Sequence, residues 1–217
     1  MPRGSVAVPR VLLATRSAGK LRELRPMFAA HGLQVIDLVE AGLDESPEED
    51  ALEVFETFEE NALAKARWFH QRSGMPTVAD DSGLEVHALG GRPGVRSKRW
   101  SERPELSGRA LDDANNAMLM ASLAGVVDRA ARFVCVAAFV DGAHERTWRG
   151  EVRGVLLERG NGAGGFGYDP FFVADDLRDV AAPGGGVRSF GELTVEEKSR
   201  VSHRARAFAA LLRELGA

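Results

Sequence analysis

The chain has 217 residues, enough for one domain with a sizeable core. Its hydrophobic fraction of 44% is ordinary for a globular protein, and a net charge of −4 argues against a duplex nucleic-acid binder. Cys135 is the single cysteine, so no internal disulfide can form, and its apolar surroundings indicate a buried residue rather than a nucleophile. We therefore expect a cytoplasmic protein without nucleic-acid or membrane partners, with a disordered tail at 1–9 and one domain at 10–217.

Strand, turn, helix and strand follow one another at the start of the chain. The apolar run Val11–Ala14 predicts a short buried strand. After a polar turn, apolar residues recur at helical spacing from Leu21 to Phe28, and Gly32 ends this helix. Gln34–Leu38 predicts a second strand, so the order of elements indicates an α/β domain.

A second helix follows an acidic stretch. The acidic residues within 44–53 predict a solvated loop, and Thr57–Glu60 is a capping box that starts a helix ending at Ser73. Pro76–Ala79 predicts a strand that ends at Asp80.

The second half of the chain predicts one helix and two long strands. Residues 111–123 form the helix, and 132–140 form a strand that is apolar on both faces and therefore central in the sheet. Residues 145–158 alternate more strongly, which favours a place nearer an edge or an interface. Glycines predict a shaped loop at 161–167 and a mobile loop at 183–191.

The C-terminal helical stretch begins at a second capping box, Thr194–Glu197. On one continuous helix, Lys198 and His203 would point about 140° apart. If both side chains serve one site, the helix must break near Ser202, which would then cap a second helical segment.

Two polar segments follow predicted strands. Thr15–Lys20 lies between a strand and a helix, where backbone N–H groups and Lys20 favour the binding of a phosphate. These residues do not match the familiar phosphate-loop pattern, and a plain helix start is the alternative interpretation. In Asp80–Gly83, adjacent carboxylates are a good site for a hard cation, yet the same residues are also good turn formers.

The Phe166–Pro170 segment combines an aromatic ring, glycines and a carboxylate. Phe166 suits stacking on a nucleobase and Asp169 suits hydrogen bonds from base N–H groups, but the segment taken alone slightly favours a core Phe in a glycine-rich hairpin. Charged residues at 196–204 are likewise typical of a solvated helix face.

Together, six segments resemble the inosine/xanthosine triphosphate pyrophosphatase family over about residues 11–213. They are Ala14-Thr15-x-x-x-Gly19-Lys20, Thr57-Phe58-x-Glu60-Asn61-Ala62-x-x-Lys65-Ala66, Ala79-Asp80-Asp81-Ser82-Gly83-Leu84, Gly91-x-Pro93-Gly94-Val95-x-Ser97-x-Arg99, Gly164-Gly165-Phe166-Gly167-Tyr168-Asp169-Pro170 and Leu193-Thr194-x-Glu196-Glu197-Lys198-x-x-x-Ser202-His203-Arg204. Several segments in this order are far more specific than any one of them.

The resemblance implies an elongated mixed β-sheet with flanking helices, two lobes and a central cleft. It also implies a homodimer and Mg²⁺-dependent hydrolysis of ITP, dITP and XTP to the monophosphate and pyrophosphate. The family usually has Asn where this chain has Ser17, whose hydroxyl has a shorter reach and no amide donor. We expect activity to survive this difference.

The resemblance also implies roles for individual residues. Mg²⁺ would lie on Asp80, Asp81 and Glu53, Glu53 being one of several acidic residues near it, and Asp81 would be the general base. Arg204 or His203 would pair with the 6-oxo group of the base, which adenine lacks. Substrate binding is expected at Thr15, Arg16, Ser17, Ala18, Gly19, Lys20, Lys65, Ser82, Phe166, Gly167, Tyr168, Asp169, Lys198, His203 and Arg204.

Two other functions remain open from the sequence. One is a related pyrophosphatase of the septum-inhibition type, which acts on modified pyrimidines or dTTP, and the segments at 166–169 and 202–204 argue against it. The other is a non-catalytic nucleotide-binding module, against which the intact Asp80 and Asp81 argue.

Overall fold

The computed structural model of the chain describes residues 9–177 and 186–216, so most of the predicted tail and residues 183–185 of the predicted loop lie outside it. No helix within the described ranges combines the length and the apolarity needed to cross a bilayer. The strands and helices are β1 (Arg10–Leu13), α1 (Ala18–Ala30), β2 (Gln34–Asp37), α2 (Phe58–Ser73), β3 (Thr77–Val86), α3 (Gly108–Ser122), β4 (Ala130–Val140), β5 (Glu145–Leu156), β6 (Phe172–Ala174), α4 (Val195–Val201) and α5 (His203–Leu215).

One mixed sheet organises the fold, with the strand order β2-β1-β3-β4-β5-β6. β1 runs parallel to β2 and β3, whereas β3, β4, β5 and β6 are successively antiparallel. The predicted α/β class, a mixed sheet with flanking helices, is confirmed. So is the central place of the apolar strand β4, while β5 has only the three-residue β6 on its outer side.

Alternate residues of the central strands enter different cores. Cys135 and Ala137 of β4 pack with α1 and α5 on one face of the sheet. Val134 and Val136 pack with α2 on the other face. A further apolar cluster, which contains Leu119 of α3, fills the opposite end of the molecule. The central strands are apolar on both sides because helices cover both of their faces.

The Asp80–Gly83 segment is not a turn, and the prediction that the strand ends at Asp80 was wrong. β3 continues for ten residues and pairs with β4 from Thr77 to Val86. Local turn propensity is outweighed by this long antiparallel ladder. The neighbouring strand β1 ends instead, since its last pair with β3 joins Leu13 to Val78.

The acidic stretch also differs from the predicted loop, because Pro47–Glu53 forms a 3-10 helix with Ser46 at its N-cap. The predicted start of α2 is confirmed, with the Thr57 hydroxyl accepting from Glu60 N, and Gly74 ends this helix in the left-handed region at φ 66°. In the described part of the 183–191 loop, Ser189 and Phe190 are fully buried, so this end of the loop belongs to the core.

The predicted break in the C-terminal helix is confirmed at Ser202. α4 ends at Val201, and Ser202 has extended backbone with φ −75° and ψ 153°. Its N–H donates to the carbonyl of Lys198, and its hydroxyl accepts from Ala205 N at 3.1 Å. The break turns Lys198 and the residues after Ser202 toward the same region of the molecule.

We predict that Ser202→Ala lowers the free energy of unfolding by about 1–2 kcal/mol, because a buried cap is lost. Ser199→Ala is the matched control, since it removes only an exposed hydroxyl bond to the Glu196 carbonyl. Urea unfolding of both variants measures the difference. Equal losses for the two variants would contradict the role of Ser202 as the cap.

Candidate active site

The early end of β1 exposes the edge of β3 beside Asp80 and Asp81. These neighbouring residues pair with Ala137 and Val136, which belong to the cores on opposite faces of the sheet. The two carboxylates therefore point to different sides, as side chains alternate along a strand. Asp80 faces α1 and α5, and Asp81 faces α2.

Asp81 is held by groups from α2 and from its own strand. Asn61 Nδ2 donates to Asp81 Oδ2 at 3.0 Å, and Ser82 N donates to Oδ1 at 3.0 Å. Lys65 Nζ lies 3.9 Å from Asp81 Oδ1 and donates to the Asp80 carbonyl at 2.5 Å. The same ammonium donates to Glu53 Oε1 at 2.5 Å.

Glu53 and Asp81, two carboxylates with different pKa values, thus both interact with Lys65. Burial raises the pKa of Asp81, and the nearby Glu53 charge raises it further, against the opposing effect of Lys65. Lys65 lowers the pKa of Glu53 to about 2, so Glu53 stays ionised. Of this pair, Asp81 is the carboxylate better suited to accept a proton near neutral pH.

Asp80 has a different set of neighbours. Its Oδ2 lies 2.9 Å from Lys20 Nζ and 3.4 Å from Arg204 Nε, and Ser82 Oγ lies 3.3 Å away. Burial alone would raise the pKa of this carboxyl, but Lys20 and Arg204 hold it well below its usual range. Asp80 therefore lies on the opposite face of the sheet from Asp81, so the three predicted metal ligands do not lie on one face. Within residues 9–177 and 186–216, no three acidic, His or Cys side chains form a metal-binding group.

The predicted phosphate turn caps α1. Ser17 is the N-cap, and its hydroxyl accepts from Lys20 N at 3.3 Å, while Thr15 Oγ accepts from Ser17 N. The N–H groups of Ala18 and Gly19, in the first helical turn, have no partner within the helix. The turn is therefore a place where an anion gains both N–H donors and the charge of Lys20.

The Arg16 side chain is directed away from this anion site. It forms a two-bond pair with Glu49, donates to the Leu43 carbonyl at 2.8 Å and lies over the Phe69 ring. Arg16 thereby ties the phosphate turn to the first turn of the Pro47–Glu53 helix. The Arg16 side chain is therefore engaged elsewhere, and the predicted contact of Arg16 with substrate would have to be made by its backbone.

Phe166 forms one wall of a cavity of about 390 Å³ between α1, the glycine-rich loop and α4. Lys198 Nζ lies 4.7 Å and Arg204 Cζ 5.4 Å from the centre of its ring. A Cβ on Gly19 would lie 2.6 Å from the ring, so glycine lets the phosphate turn touch Phe166. The cavity has the size of a small-molecule site.

A partly buried carboxylate of this cavity, which was not predicted from the sequence, joins Lys198 to Arg204. Glu23 of α1 accepts from Lys198 Nζ at 2.8 Å and from Arg204 Nη1 at 2.6 Å. Lys198 also donates to Asp169 at 2.6 Å, and Asp169 accepts from Phe166 N at 2.8 Å. Glu23 lies three residues after Lys20 on the same helix face, and this spacing was the available signal.

Other predicted substrate residues have structural partners. The Tyr168 side chain is buried and donates to the Ser97 carbonyl at 2.8 Å, so it is not available to a ligand. Gly167 is held by α3, since its N–H donates to Asp112 and its carbonyl accepts from Asn116, both at 2.9 Å. Asp112 and Asn116 therefore position the loop that carries Phe166.

His203 is also buried, and its ring stacks on Phe133 with centroids 4.6 Å apart. Burial and the adjacent Arg204 and Lys198 charges lower its pKa well below the usual range, so the imidazole is neutral. Its Nδ1 has no hydrogen-bond partner among the described residues.

A sequence profile of the Ham1 family matches residues 11–214, nearly the whole chain. This chain belongs to the Ham1 family. A dITP/XTP pyrophosphatase of Frankia alni is 49% identical over 212 residues, with 95% of this chain and 98% of the relative covered.

Solved structures agree with this membership. The crystal structure of a nucleoside-triphosphatase, or dITP/XTP pyrophosphatase, from Mycobacterium abscessus is 40% identical, with a TM-score of 0.67 and coverage of 94% and 98%. A HAM1 protein from Coxiella burnetii is 29% identical, with a TM-score of 0.77 and coverage of 95% and 98%. The predicted family resemblance and fold are confirmed.

We predict that Glu23→Gln lowers the free energy of unfolding by about 3 kcal/mol, because two buried cations lose their shared carboxylate. Glu145→Gln is the matched control: this carboxylate also forms a two-bond pair with an arginine, Arg67, but both side chains are exposed. Its loss should cost less than about 1 kcal/mol. Denaturant titrations of the two variants measure these losses in the free energy of unfolding. Equal losses would contradict the importance of burial at Glu23.

Proposed function

We propose that the chain is a Mg²⁺-dependent nucleoside-triphosphate pyrophosphatase that converts ITP, dITP and XTP to the monophosphate and pyrophosphate. The observation that carries this proposal is that Asp81 and Lys65 lie beside Lys20. The cluster of charged residues that contains them extends to the cavity beside Phe166. A proton acceptor, phosphate-binding cations and a base-sized cavity thus belong to one site. The names of the relatives support the same reaction and substrate class.

The residues around Asp81 fit a magnesium ion. Mg²⁺ commonly binds through one or two carboxylates together with substrate phosphates, and Glu53 and Asp81 supply two carboxylates that both interact with Lys65. A bound ion would neutralise phosphate charge and lower the pKa of a water molecule. We assign Glu53 and Asp81 as the residues that hold it.

The chain's own groups account for the remaining requirements of the reaction. Asn61 and Ser82 N orient the Asp81 carboxylate, which would accept a proton from the attacking water because the bound ion makes that water more acidic. Lys20 and the N-terminus of α1 bind the triphosphate, and Lys65 adds positive charge next to them. These fixed charges stabilise the pyrophosphate leaving group as its charge develops.

Base selection is assigned to the cavity beside Phe166. A guanidinium has five N–H groups, and Arg204 uses one each for Asp80, Glu23 and Ser82. The other two N–H groups have no acceptor among the described residues, and we assign them to the 6-oxo group of hypoxanthine or xanthine. Adenine has a donor at that position and would leave them unpaired. We extend the proposal to a homodimer, as the family resemblance implies, and to the cytoplasm, as the single cysteine favours.

Purified protein with Mg²⁺ should release pyrophosphate and IMP from ITP, with kcat/KM about 5- to 150-fold above that for ATP, since an unpaired buried donor costs about 1–3 kcal/mol. The measurement is chromatography of the products from a panel of ITP, dITP, XTP, ATP, GTP and dTTP. Release of orthophosphate, or a preference for dTTP, would contradict the proposal.

Asp81→Asn should lower kcat by about 10²–10⁴-fold, because the amide cannot accept the proton. Asp113→Asn is the matched control on the exposed surface of α3 and should leave kcat unchanged. Near-normal turnover by the Asp81 variant would exclude Asp81 as the general base.

A further inference from the structure

Asp80 contacts the two sides of its strand with different groups: its carbonyl accepts from Lys65 on the Asp81 side, whereas its carboxylate has all of its described hydrogen-bond and ion-pair partners on the other face. Its carboxylate lies on the α1 and α5 face, where its side-chain partners are Lys20, Arg204, Ser82 and Cys135. Both cations approach the same oxygen, Oδ2. The Asp80 carboxylate thus lies on the opposite face of β3 from Glu53 and Asp81, the residues that would hold the ion.

The two cations on Asp80 belong to the two ends of the proposed site. Lys20 lies at the phosphate turn, and Arg204 Cζ lies 5.4 Å from the centre of the Phe166 ring, which forms one wall of the proposed base cavity. The charges then continue in alternation from Arg204 to Glu23, Lys198 and Asp169. Asp80 is the direct link between the triphosphate end and the base end.

This link is rigid because it is buried. The Asp80 side chain is fully inaccessible, the Arg204 side chain is 3% exposed and the Lys20 side chain is 16% exposed. The other carboxylate oxygen, Oδ1, is buried without a hydrogen-bond partner among the described residues. Oδ2 therefore carries both ion pairs.

We propose that Asp80 is a positioning residue that couples base recognition at Arg204 to the placement of Lys20 on the triphosphate, and that it is not a ligand of the metal. This inference rests on the proposed function. A base that fails to engage Arg204 would then disturb Lys20 as well, so that part of the discrimination appears in kcat rather than only in KM.

The first test compares Asp80→Asn with Asp81→Asn in nucleotide-free protein, using Mn²⁺ binding followed by electron paramagnetic resonance. We expect the Asp80 variant to bind Mn²⁺ within about twofold of wild type, and the Asp81 variant to lose at least tenfold in affinity. A tenfold or larger loss for Asp80→Asn would make Asp80 a metal ligand and overturn the inference.

The second test measures coupling in ITP hydrolysis. Lys20→Gln and Arg204→Gln should be non-additive by about tenfold in kcat/KM when Asp80 is present, and additive within twofold in the D80N background. The kcat ratio of ITP to ATP should also fall at least fivefold in D80N. Additive effects in both backgrounds would overturn the coupling.

Asp80→Glu provides a second variant that keeps the buried charge if the Asn variant fails to fold. Its longer side chain should leave Mn²⁺ affinity unchanged but lower the ITP to ATP ratio of kcat, because the oxygen is displaced from both cations. Unchanged selectivity would refute the inference. Wild-type protein that releases no pyrophosphate from ITP would instead refute the proposed function, and with it the inference.

Discussion

The site depends on one feature of the sheet: β1 ends at Leu13 while β3 continues for ten residues. Beyond Val78, one edge of β3 is therefore free of a strand partner, although its other edge remains fixed to β4. The free edge lets Lys20 and Lys65 approach the carbonyl of Asp80. The alternation of side chains then places two adjacent carboxylates in two different environments.

Burial determines how the charges around this edge are arranged. An isolated buried charge costs several kcal/mol, so each cation here is paired with a carboxylate and each carboxylate with a cation. Lys20, Arg204 and Lys198 alternate with Asp80, Glu23 and Asp169. The protein thus holds its cationic groups in place before a nucleotide binds. This lowers the free-energy cost of ordering these side chains when the nucleotide binds.

Local sequence rules predicted the elements that local interactions decide. Hydroxyl caps at Thr57 and Ser202 act over a few residues, and both were predictable from spacing. The strand was predicted to end at Asp80 because its pairing with β4, which extends it, joins residues about fifty positions apart. Glu23 was missed for the same reason, since its partners Lys198 and Arg204 come from the far end of the chain.

We conclude that one face of β3 carries the metal-binding carboxylate Asp81, and that the other face carries Asp80, which joins the triphosphate end of the site to its base end. The most direct test is a crystal structure of the protein with Mg²⁺ and an ITP analogue whose α,β-bridging oxygen is replaced by methylene. We expect the metal on Asp81 and Glu53, the triphosphate on the Thr15–Lys20 turn, the purine against Phe166 and Asp80 still paired with Lys20 and Arg204. A metal bound to Asp80, or a purine outside the Phe166 cavity, would contradict this account.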